Sequence, residues 1–347
     1  MKRIHIGHHF YGSGNLGDDL MLDGFLSQFN STEATFSCCT PYKSSQLENR
    51  FPQVNWLPYT IEERLKAIQA SDIWLGLGGS PFQNSVSTWF TDHLIVEANL
   101  CNTCSIPMLY LGIGAQESDA FKDPRLIEVF TLSKHIWTRD EETFDKLLKH
   151  GLPTQSVSIG SDLAHICFSI HTLSSIKSQQ IAATLNFDYL DWEGLLPTLQ
   201  SLENSSYKEK IWLIQETRNL KGSEQDLYKL LPPILQKSWK PQFADIPYKS
   251  MKEVLGNWPA SEWVITSRYH TTLASAWAGS KTVVLAINDK LKNAAYDCDY
   301  PYLEKKANPR EIIKALENSE PAKLAKMLSH ASVAKKAVNE FKAFINQ

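Results

Sequence analysis

Short apolar runs alternate with amphipathic stretches along most of the chain. In the first half, the apolar runs are Arg3–Gly7, Ala34–Cys39, Ile73–Leu77, Met108–Leu111 and Ile136–Thr138. Each run precedes a segment in which apolar residues recur at helical spacing, as Leu20, Met21 and Phe25 do after the first run. Strands that alternate with helices predict a parallel sheet joined by right-handed crossovers.

The same pattern restarts after a polar, Ser-rich stretch at 171–180, which we interpret as a linker. Later apolar runs predict a second sheet at Ile181–Asn186, Ile211–Gln215, Trp263–Ile265 and Thr282–Ile287. The 347 residues also exceed the roughly 250–300 at which one hydrophobic core stops growing. We therefore predict two α/β domains, 1–170 and 171–330, and a helix at 331–347 that packs back on the first domain. Two doubly wound, Rossmann-like domains facing a cleft form the glycosyltransferase-B (GT-B) architecture.

Composition narrows the class of protein. The formal net charge is −3, and the absence of a dense Lys/Arg stripe argues against a nucleic-acid partner. No apolar run approaches the ~20 residues that cross a bilayer, and the N-terminus lacks the core of a signal peptide. We predict a cytoplasmic protein. Cys101 and Cys104 form a C-x-x-C pair without a second pair at zinc-ribbon spacing, so buried free thiols are the better interpretation.

Several predicted strands of the first half end in small or functional residues. The strand ends are Gly78-Gly79, Gly114-Ala115-Gln116, Arg139-Asp140 and Asp162. Ligands bind at the carboxyl edge of an open parallel sheet, so we expect these groups to line one cleft. A surface ion pair is the alternative for Arg139 and Asp140.

A glycine-rich turn follows the first strand. Gly12, Gly14 and Gly17 fit the G-x-G-x-x-G pattern of dinucleotide-binding sites. However, the loop does not follow its strand at once, and Asp18 and Asp19 at the helix start would repel a pyrophosphate. These carboxylates either neutralise the helix dipole, or Asp18 faces the cleft as a base or hydroxyl-binding group.

The segment 262–279, EWVITSRYHTTLASAWAG, predicts a buried strand that runs directly into a helix. Ser267 stands where an N-cap is expected, which puts Arg268, Tyr269 and His270 in the first turn. That turn has backbone N–H groups without helical partners, a forked cation and a side chain that exchanges protons near neutral pH. We interpret it as the anion-binding end of an active site, with a solvated surface turn as the alternative.

An ordered set of motifs resembles the polysaccharide pyruvyl transferases. The motifs are GSGNLGDDLML, DIWLGLGGSPF, LGIGAQ, Arg139-Asp140, Gly160-Ser161-Asp162, SRYH and Asn288-Asp289-Lys290. The resemblance covers most of the chain, from Gly12 to Lys290. Tyr269 replaces the small aliphatic residue usual in the family, and Thr143 stands where serine is common. We expect Tyr269 to reshape the acceptor pocket.

The resemblance implies that a pyruvyl group moves from phosphoenolpyruvate to a sugar of a polysaccharide or its precursor, with formation of a ketal and release of phosphate. It implies no cofactor and no metal. The acceptor would be an exopolysaccharide or another cell-envelope glycan. Whether that acceptor is lipid-linked stays open, and a lipid-linked acceptor would hold the protein at the inner face of the membrane.

The resemblance also suggests roles for individual residues. Arg139, Arg268 and the turn after Ser267 would bind the carboxylate and phosphate of the donor. His270 is the candidate acid for the methylene carbon or the proton donor to the leaving phosphate, and Asp18 is the candidate for binding or deprotonating the acceptor hydroxyl. The remaining expected cleft residues are Asn15, Gly79, Gln116 and Lys290, the last at the phosphate.

Two other functions fit the same pattern. A nucleotide-sugar-dependent glycosyltransferase of GT-B fold would need a ribose-binding acid in the second domain, for which Glu216 is a poor fit. A non-catalytic glycan-assembly protein would keep its biological activity after Arg268→Ala and His270→Ala.

Overall fold

The computed structural model describes residues 1–7, 11–12, 14–41, 45–83, 89–116, 118–185, 192–203, 207–217, 223–245, 249–304 and 307–347. These residues form two parallel β-sheets, each with its own helices. The predicted class, two doubly wound α/β domains, is confirmed.

The first sheet has seven strands. They are β1 (Lys2–Gly7), β2 (Ala34–Thr40), β3 (Val54–Pro58), β4 (Ile73–Leu77), β5 (Met108–Ile113), β6 (His135–Thr138) and β7 (Val157–Ile159). The strand order is β3-β2-β1-β4-β5-β6-β7. The helices of this part are α1 (Leu16–Leu26), α2 (Ser45–Arg50), α3 (Ile61–Gln69), α4 (Trp89–Thr103), α5 (Pro124–Thr131), α6 (Glu141–Lys149) and α7 (Ala164–Ile170), with 3₁₀ turns at Ser118–Lys122 and Thr154–Ser156.

The second sheet has six strands. They are β8 (Lys177–Thr184), β9 (Glu209–Ile214), β10 (Trp239–Phe243), β11 (Ser261–Thr266), β12 (Lys281–Ala286) and β13 (Tyr302–Glu304). The strand order is β10-β9-β8-β11-β12-β13. The helices are α8 (Trp192–Glu203), α9 (Glu224–Leu230), α10 (Pro233–Ser238), α11 (Met251–Gly256), α12 (Tyr269–Ala278), α13 (Asp289–Asp297), α14 (Pro309–Glu317) and α15 (Leu324–Ile345).

The central strands are buried on both faces. All five residues of β4 are buried, and successive side chains enter two different apolar clusters. Leu75 packs in the cluster that contains α1 and α7, whereas Trp74 packs on the opposite face with Tyr110, 5.3 Å between ring centroids. This arrangement explains why a parallel strand reads as a continuous apolar run.

The last helix packs on the first domain. The indole Nε1 of Trp137 in β6 donates to Glu340 Oε2 at 3.0 Å, and Lys342 Nζ donates to the Gln28 carbonyl at 2.7 Å. The Phe341 ring lies 5.9 Å from the Phe25 ring. Helix α15 begins at Leu324 and therefore lies partly before residue 331.

The predicted linker at 171–180 is too long at its C-terminal end. Strand β8 begins at Lys177, whose N–H donates to the Ala260 carbonyl at 3.0 Å. The first three residues of this strand are exposed and polar, so hydrophobic periodicity gives no signal there.

The two domains meet through a buried ion-pair cluster, which we call the Arg50 triad (Asp19, Arg50 and Asp245). Arg50 on α2 donates to Asp19 Oδ2 on α1 and to Asp245 Oδ1 after β10, each at 2.7 Å. The three side chains are at most 4% exposed. The triad therefore joins an element of the second domain to two helices of the first.

A backbone ladder also connects the domains beside this triad. The Thr217 N–H donates to the Gly14 carbonyl at 2.8 Å, and the Leu16 N–H donates to the Gln215 carbonyl at 3.4 Å. The glycine loop is thus held against the end of β9. In the described part of the chain, no helix has the length and apolar character needed to cross a bilayer.

Candidate active site

The candidate site lies where the carboxyl ends of both sheets converge. Each sheet changes its winding direction at one point, between β1 and β4 in the first and between β8 and β11 in the second. Such switch points leave a crevice in which ligands bind. Strand β1 leads to α1, β6 ends before Arg139, and β11 ends before the turn that holds His270.

A buried carboxylate, Asp162, stands between two predicted site residues. Its Oδ2 is 3.6 Å from Arg139 Nη1, and its Oδ1 is 3.7 Å from His270 Nε2. The Ala164 N–H donates to Oδ1 at 2.9 Å. Burial acts to raise the pKa of Asp162, but His270 and Arg139 outweigh it and hold the pKa well below its ordinary value. Asp162 is therefore an anion between two cationic or proton-donating groups.

Arg139 is held in place on several sides. Its Nη2 donates to Ser80 Oγ at 3.0 Å, and its guanidinium carbon lies 4.4 Å from the centroid of the Tyr269 ring. The guanidinium also lies flat against Gly114, where a Cβ would sit 2.3 Å from Arg139 Nε. Glycine at the end of β5 thus makes room for the cation, and Tyr269 from the other domain covers it.

Lys290, near the start of α13, belongs to the same cluster of charges. Its Nζ is 5.1 Å from the centroid of the Tyr269 ring. Burial, together with repulsion by Arg139 and Arg268, lowers the pKa of Lys290 to about 7, although Asp162 and Asp18 oppose the shift. The ammonium therefore changes charge near neutral pH, and an added anion would favour its charged form.

The start of α12 differs by one residue from the prediction. Arg268, rather than Ser267, is the N-cap, and no side chain caps the helix among the described residues. The Ser267 N–H donates to the Thr184 carbonyl at 3.0 Å, and the Arg268 N–H donates to Thr266 Oγ1 at 2.9 Å. The correction arises because the β11–β8 ladder continues one residue further than the apolar run, so the turn begins later.

Arg268 itself is anchored by an acid that the sequence pattern does not reveal. Its Nε donates to Glu224 Oε1 at 2.5 Å, and the Glu224 side chain is fully buried. Glu224 also accepts a hydrogen bond from the Glu216 N–H at 3.3 Å. Glu216 lies in the interdomain ladder, where it bridges to Asn15, so Arg268 is tied to the contact between the domains.

The glycine loop brings Gly17 and the predicted residue Asp18 to the cluster, and it places the predicted residue Asn15 at the start of α1. Asn15 caps α1 by accepting from the Gly17 N–H at 3.1 Å. Gly17 lies against the imidazole of His270, since a Cβ there would be 2.0 Å from Nδ1. Asp18 is buried and close enough to stabilise the charged form of Lys290. The side chain of Asn15 is thus a structural cap, whereas Asp18 lies among the charges.

Gly79 and Gln116 lie at the neighbouring strand ends. Gly79 has a φ of +77°, which favours glycine, and its carbonyl accepts from the Gly114 N–H at 3.0 Å. The Gln116 N–H donates to the Phe82 carbonyl at 3.0 Å, and its side chain is half-buried. Gly79 thus bonds to the backbone of Gly114, against which Arg139 packs, and no contact among the described residues joins the Gln116 side chain to His270.

Buried polar atoms in this cluster lack hydrogen-bond partners among the described residues. They are Nε and Nη1 of Arg139, Oδ2 of Asp162 and Nε2 of His270. Buried polar atoms in native proteins are nearly always satisfied, so several unsatisfied atoms in one place call for an explanation. Asp162 Oδ2 faces Arg139 Nη1 at 3.6 Å as an ion pair, and a bound polar ligand that receives hydrogen bonds from Arg139 and His270 would satisfy their nitrogens.

Potential metal ligands occur elsewhere. Asp23 on α1, Cys167 on α7 and His171 place one ligand atom each within 4.8 Å of one another, and His171 Nε2 is 2.9 Å from Asp23 Oδ2. They are outside the Arg139–His270 cluster. All six cysteines are free thiols, with Cys101 buried and Cys104 half-buried.

Comparisons with known proteins identify the family and the fold of the chain. A family model described as polysaccharide pyruvyl transferase matches residues 15–289. A search of curated proteins finds no significant relative.

Solved structures of similar fold include MnaA of S. aureus in complex with UDP. It has a TM-score of 0.66 at 11% identity, and the match covers 100% of this chain and 97% of that one. The UDP-N-acetylglucosamine 2-epimerase of Rickettsia bellii gives 0.64 at 13% identity, with 100% and 98% covered. Anabaena Alr3699/HepE in complex with UDP-glucose gives 0.59 at 10% identity, again with 100% and 98% covered. At such identities the likeness concerns the fold, which is GT-B-like.

The matched region contains the residues that form the candidate site. It begins at Asn15 and includes Arg139, Asp162 and the turn from Arg268 to His270, while Lys290 lies one residue beyond it. The chain belongs to the polysaccharide pyruvyl transferase family.

Proposed function

We propose that the protein transfers a pyruvyl group from phosphoenolpyruvate to a sugar of a polysaccharide or its precursor, with formation of a ketal and release of phosphate. The observation that carries the proposal is the set of buried nitrogens on Arg139 and His270 that make no hydrogen bond among the described residues. Family membership supports a transferase that acts on a polysaccharide.

The charges of the cluster suit a donor with both a carboxylate and a phosphate. In the described part of the chain, Nε and Nη1 of Arg139 make only long ion pairs, to Asp140 at 3.5 Å and to Asp162 at 3.6 Å, and Lys290 gains charge when an anion binds. The uncapped N-terminus of α12 supplies backbone N–H donors beside them. Arg268 adds a second guanidinium, which Glu224 holds in a fixed orientation.

The chemistry requires a proton donor near the methylene carbon of the donor. In the proposed reaction His270 protonates C3, which leaves an oxocarbenium-like centre at C2. A sugar hydroxyl then bonds to C2 and loses its proton to Asp18. The bond from C2 to the phosphate oxygen breaks with its electron pair on the phosphate, and a second hydroxyl of the sugar closes the ring. The two sugar hydroxyls release two protons in all. One of them restores to His270 the proton that it gave to C3, and the other leaves with the phosphate or to solvent.

Asp162 is suited to prepare His270 for this role. The Asp162 carboxylate lies 3.7 Å from His270 Nε2 and fixes the orientation of the imidazole. The same carboxylate faces Arg139, so donor binding and proton donation share one anion. Tyr269 covers Arg139 and separates it from solvent, which strengthens the interaction of the guanidinium with a bound anion.

The test is to incubate the protein with phosphoenolpyruvate and a panel of glycans and to measure phosphate release and pyruvate adducts by mass spectrometry. We expect phosphate release only with an acceptor, and a mass gain of one pyruvate ketal on that acceptor. The variants Arg139→Met and His270→Gln should abolish both signals, with Arg125→Met, at an exposed ion pair, as a control that retains them.

The alternatives give different results in the same experiment. Turnover of a UDP-sugar or GDP-sugar, with no consumption of phosphoenolpyruvate, would replace the proposal by a nucleotide-sugar glycosyltransferase. Absence of donor binding by calorimetry, together with biological activity that survives Arg268→Ala and His270→Ala, would favour a non-catalytic assembly protein.

A further inference from the structure

A polar cavity of about 180 Å³ lies between the domains, next to the candidate active site. The wall from the first domain contains Gly12, Gly14 and Leu47, and the wall from the second contains Thr217. The Arg50 triad completes the lining. The function proposed above does not use this cavity.

The charge of the lining disfavours an anion. Two carboxylates face one guanidinium, and Arg50 already donates to both carboxylates and, through Nε, to the Lys249 carbonyl at 3.0 Å. The triad therefore carries a net negative charge and has no guanidinium fork left over for a phosphate or a carboxylate. Carboxylate oxygens nevertheless retain lone pairs after binding Arg50, and these can accept hydrogen bonds from hydroxyl groups.

The shape of the cavity suits a small ring with hydroxyl groups. Its volume of about 180 Å³ is below the roughly 300–1,000 Å³ of pockets that enclose a drug-sized ligand, so it admits about one pyranose ring. Gly12 and Gly14 have φ values of +67° and +99°, so the backbone can approach a ligand without side chains in between. Leu47 lies against Gly12 and offers an apolar wall for the C–H face of a sugar.

The cavity and the reactive cluster share one thin wall. Gly14 lines the cavity and accepts from the Thr217 N–H, whereas Gly17 lies against His270. Three residues span at most ~10 Å, so the two places are about one or two sugar rings apart. The neighbouring carboxylates Asp18 and Asp19 belong to the two different places. Asp18 interacts with Lys290 in the reactive cluster, and Asp19 belongs to the Arg50 triad that lines the cavity.

We infer that the cavity binds one neutral hexose unit of the acceptor glycan, adjacent to the unit that receives the pyruvyl group. The inference rests on the proposed function for the identity of the acceptor, but its binding test does not require turnover. It predicts that oligosaccharides are better acceptors than the corresponding monosaccharides, because only they occupy both places.

The test fills the cavity and measures glycan binding without the donor. Neutral methyl glycosides and oligosaccharides are titrated by saturation-transfer NMR and calorimetry against wild type, Leu47→Phe and the control Leu324→Phe, which enlarges a leucine that is 57% exposed. We expect at least one neutral glycan to bind wild type and the control, and to bind Leu47→Phe at least tenfold more weakly. Affinity for phosphoenolpyruvate should stay within twofold in all three proteins.

The outcomes separate this inference from the proposed function. Equal glycan affinity in Leu47→Phe and wild type, no binding of any neutral glycan, or preferential binding of a cationic or anionic sugar would overturn the cavity assignment while donor binding remained. If the wild-type protein does not bind phosphoenolpyruvate, the proposed function is wrong instead. If Leu47→Phe does not fold, Thr217→Ile fills the same space from the opposite domain, and the same criteria apply.

Discussion

Gly17→Ala is the sharpest single test of the candidate site, because it adds one methyl group directly beneath His270. The Cβ of alanine would sit 2.0 Å from His270 Nδ1 and 2.7 Å from Cε1. Gly17 lies in the first turn of α1 and does not have the left-handed backbone conformation that favours glycine. The backbone can therefore accept alanine, and the imidazole has to move.

The required movement can be estimated from the contact distance. Non-bonded heavy atoms reach their optimal separation at ~3.5 Å, so the ring must shift by roughly 1.5 Å. A misplacement of ~1 Å at a catalytic group can reduce a rate by about 100-fold. We therefore expect kcat for acceptor-dependent phosphate release to fall by roughly 100-fold or more.

Stability and donor binding should remain close to wild type. Alanine is favoured over glycine in a helix by about 0.8–1.0 kcal/mol, which partly offsets the crowding. The three atoms nearest to the new methyl group all belong to His270, so the imidazole, and not the donor-binding side chains Arg139 and Lys290, takes the closest contacts. The matched control is Gly256→Ala at the end of α11, where a Cβ meets no atom within 4 Å.

The measurements are kcat with the acceptor found in the adduct screen, Kd for phosphoenolpyruvate by calorimetry, and urea unfolding. A Gly17→Ala variant with kcat within twofold of wild type would refute the role assigned to His270. A loss of kcat that is matched by loss of folding or of donor binding would show that the effect is not specific to the imidazole.

Three further predictions concern charges. Affinity for phosphoenolpyruvate should fall above pH 7, by up to about tenfold per pH unit, because Lys290, with a pKa of about 7, must take up a proton when the donor binds. Lys290→Arg should remove that pH dependence, because arginine stays charged, and calorimetry between pH 6.5 and 8.5 measures it. Parallel pH profiles of affinity in wild type and the variant would contradict the assignment. Glu224→Gln leaves Arg268 without its buried counter-ion, so the free energy of unfolding measured with urea should fall by about 3 kcal/mol. Glu62→Gln, at an exposed ion pair, is the control and should change that free energy by less than about 1 kcal/mol. Burial raises the pKa of Asp19 to about 6 despite Arg50, so the folded protein holds a proton there that the unfolded chain loses at lower pH. As the pH rises from 4 to 6, the free energy of unfolding of wild type should therefore fall by roughly 3 kcal/mol relative to that of Asp19→Asn, with no further change above pH 6.5. A constant difference between the two proteins in urea unfolding across that pH range would contradict this.

The elements predicted most accurately are those with an unbroken apolar run. Strand β4 was predicted with its observed bounds because every side chain of Ile73–Leu77 is buried. Strand β10 was not predicted, since its sequence, WKPQF, contains exposed polar residues and a proline at the sheet edge. The short helix α7 was also missed. Its seven residues are too few to show helical periodicity, although its first five are buried.

The candidate site follows the same logic. Arg139 and His270 could be found from the sequence because each stands just after a strand in a parallel sheet, and that position alone directs it to the cleft. Asp162 stands at the same edge and was recognised as a cleft residue, but only the structure gives it a role between the two. Glu224 gives no local signal, since its partner Arg268 is 44 residues away, and the partners Arg50 and Asp245 are separated by 195 residues. Pairings over such distances depend on how the two domains dock.

The return of α15 to the first domain has a consequence for synthesis of the protein. The strands of the first sheet are all translated before those of the second sheet, yet Phe341, which packs near Phe25 and Trp137, is translated after both sheets. Until α15 has been translated, the aromatic surface that it covers has no helix from this chain to cover it, and nascent chains in that state are prone to aggregate. We expect chains truncated before Phe341 to be retained by chaperones even though both parallel sheets are complete.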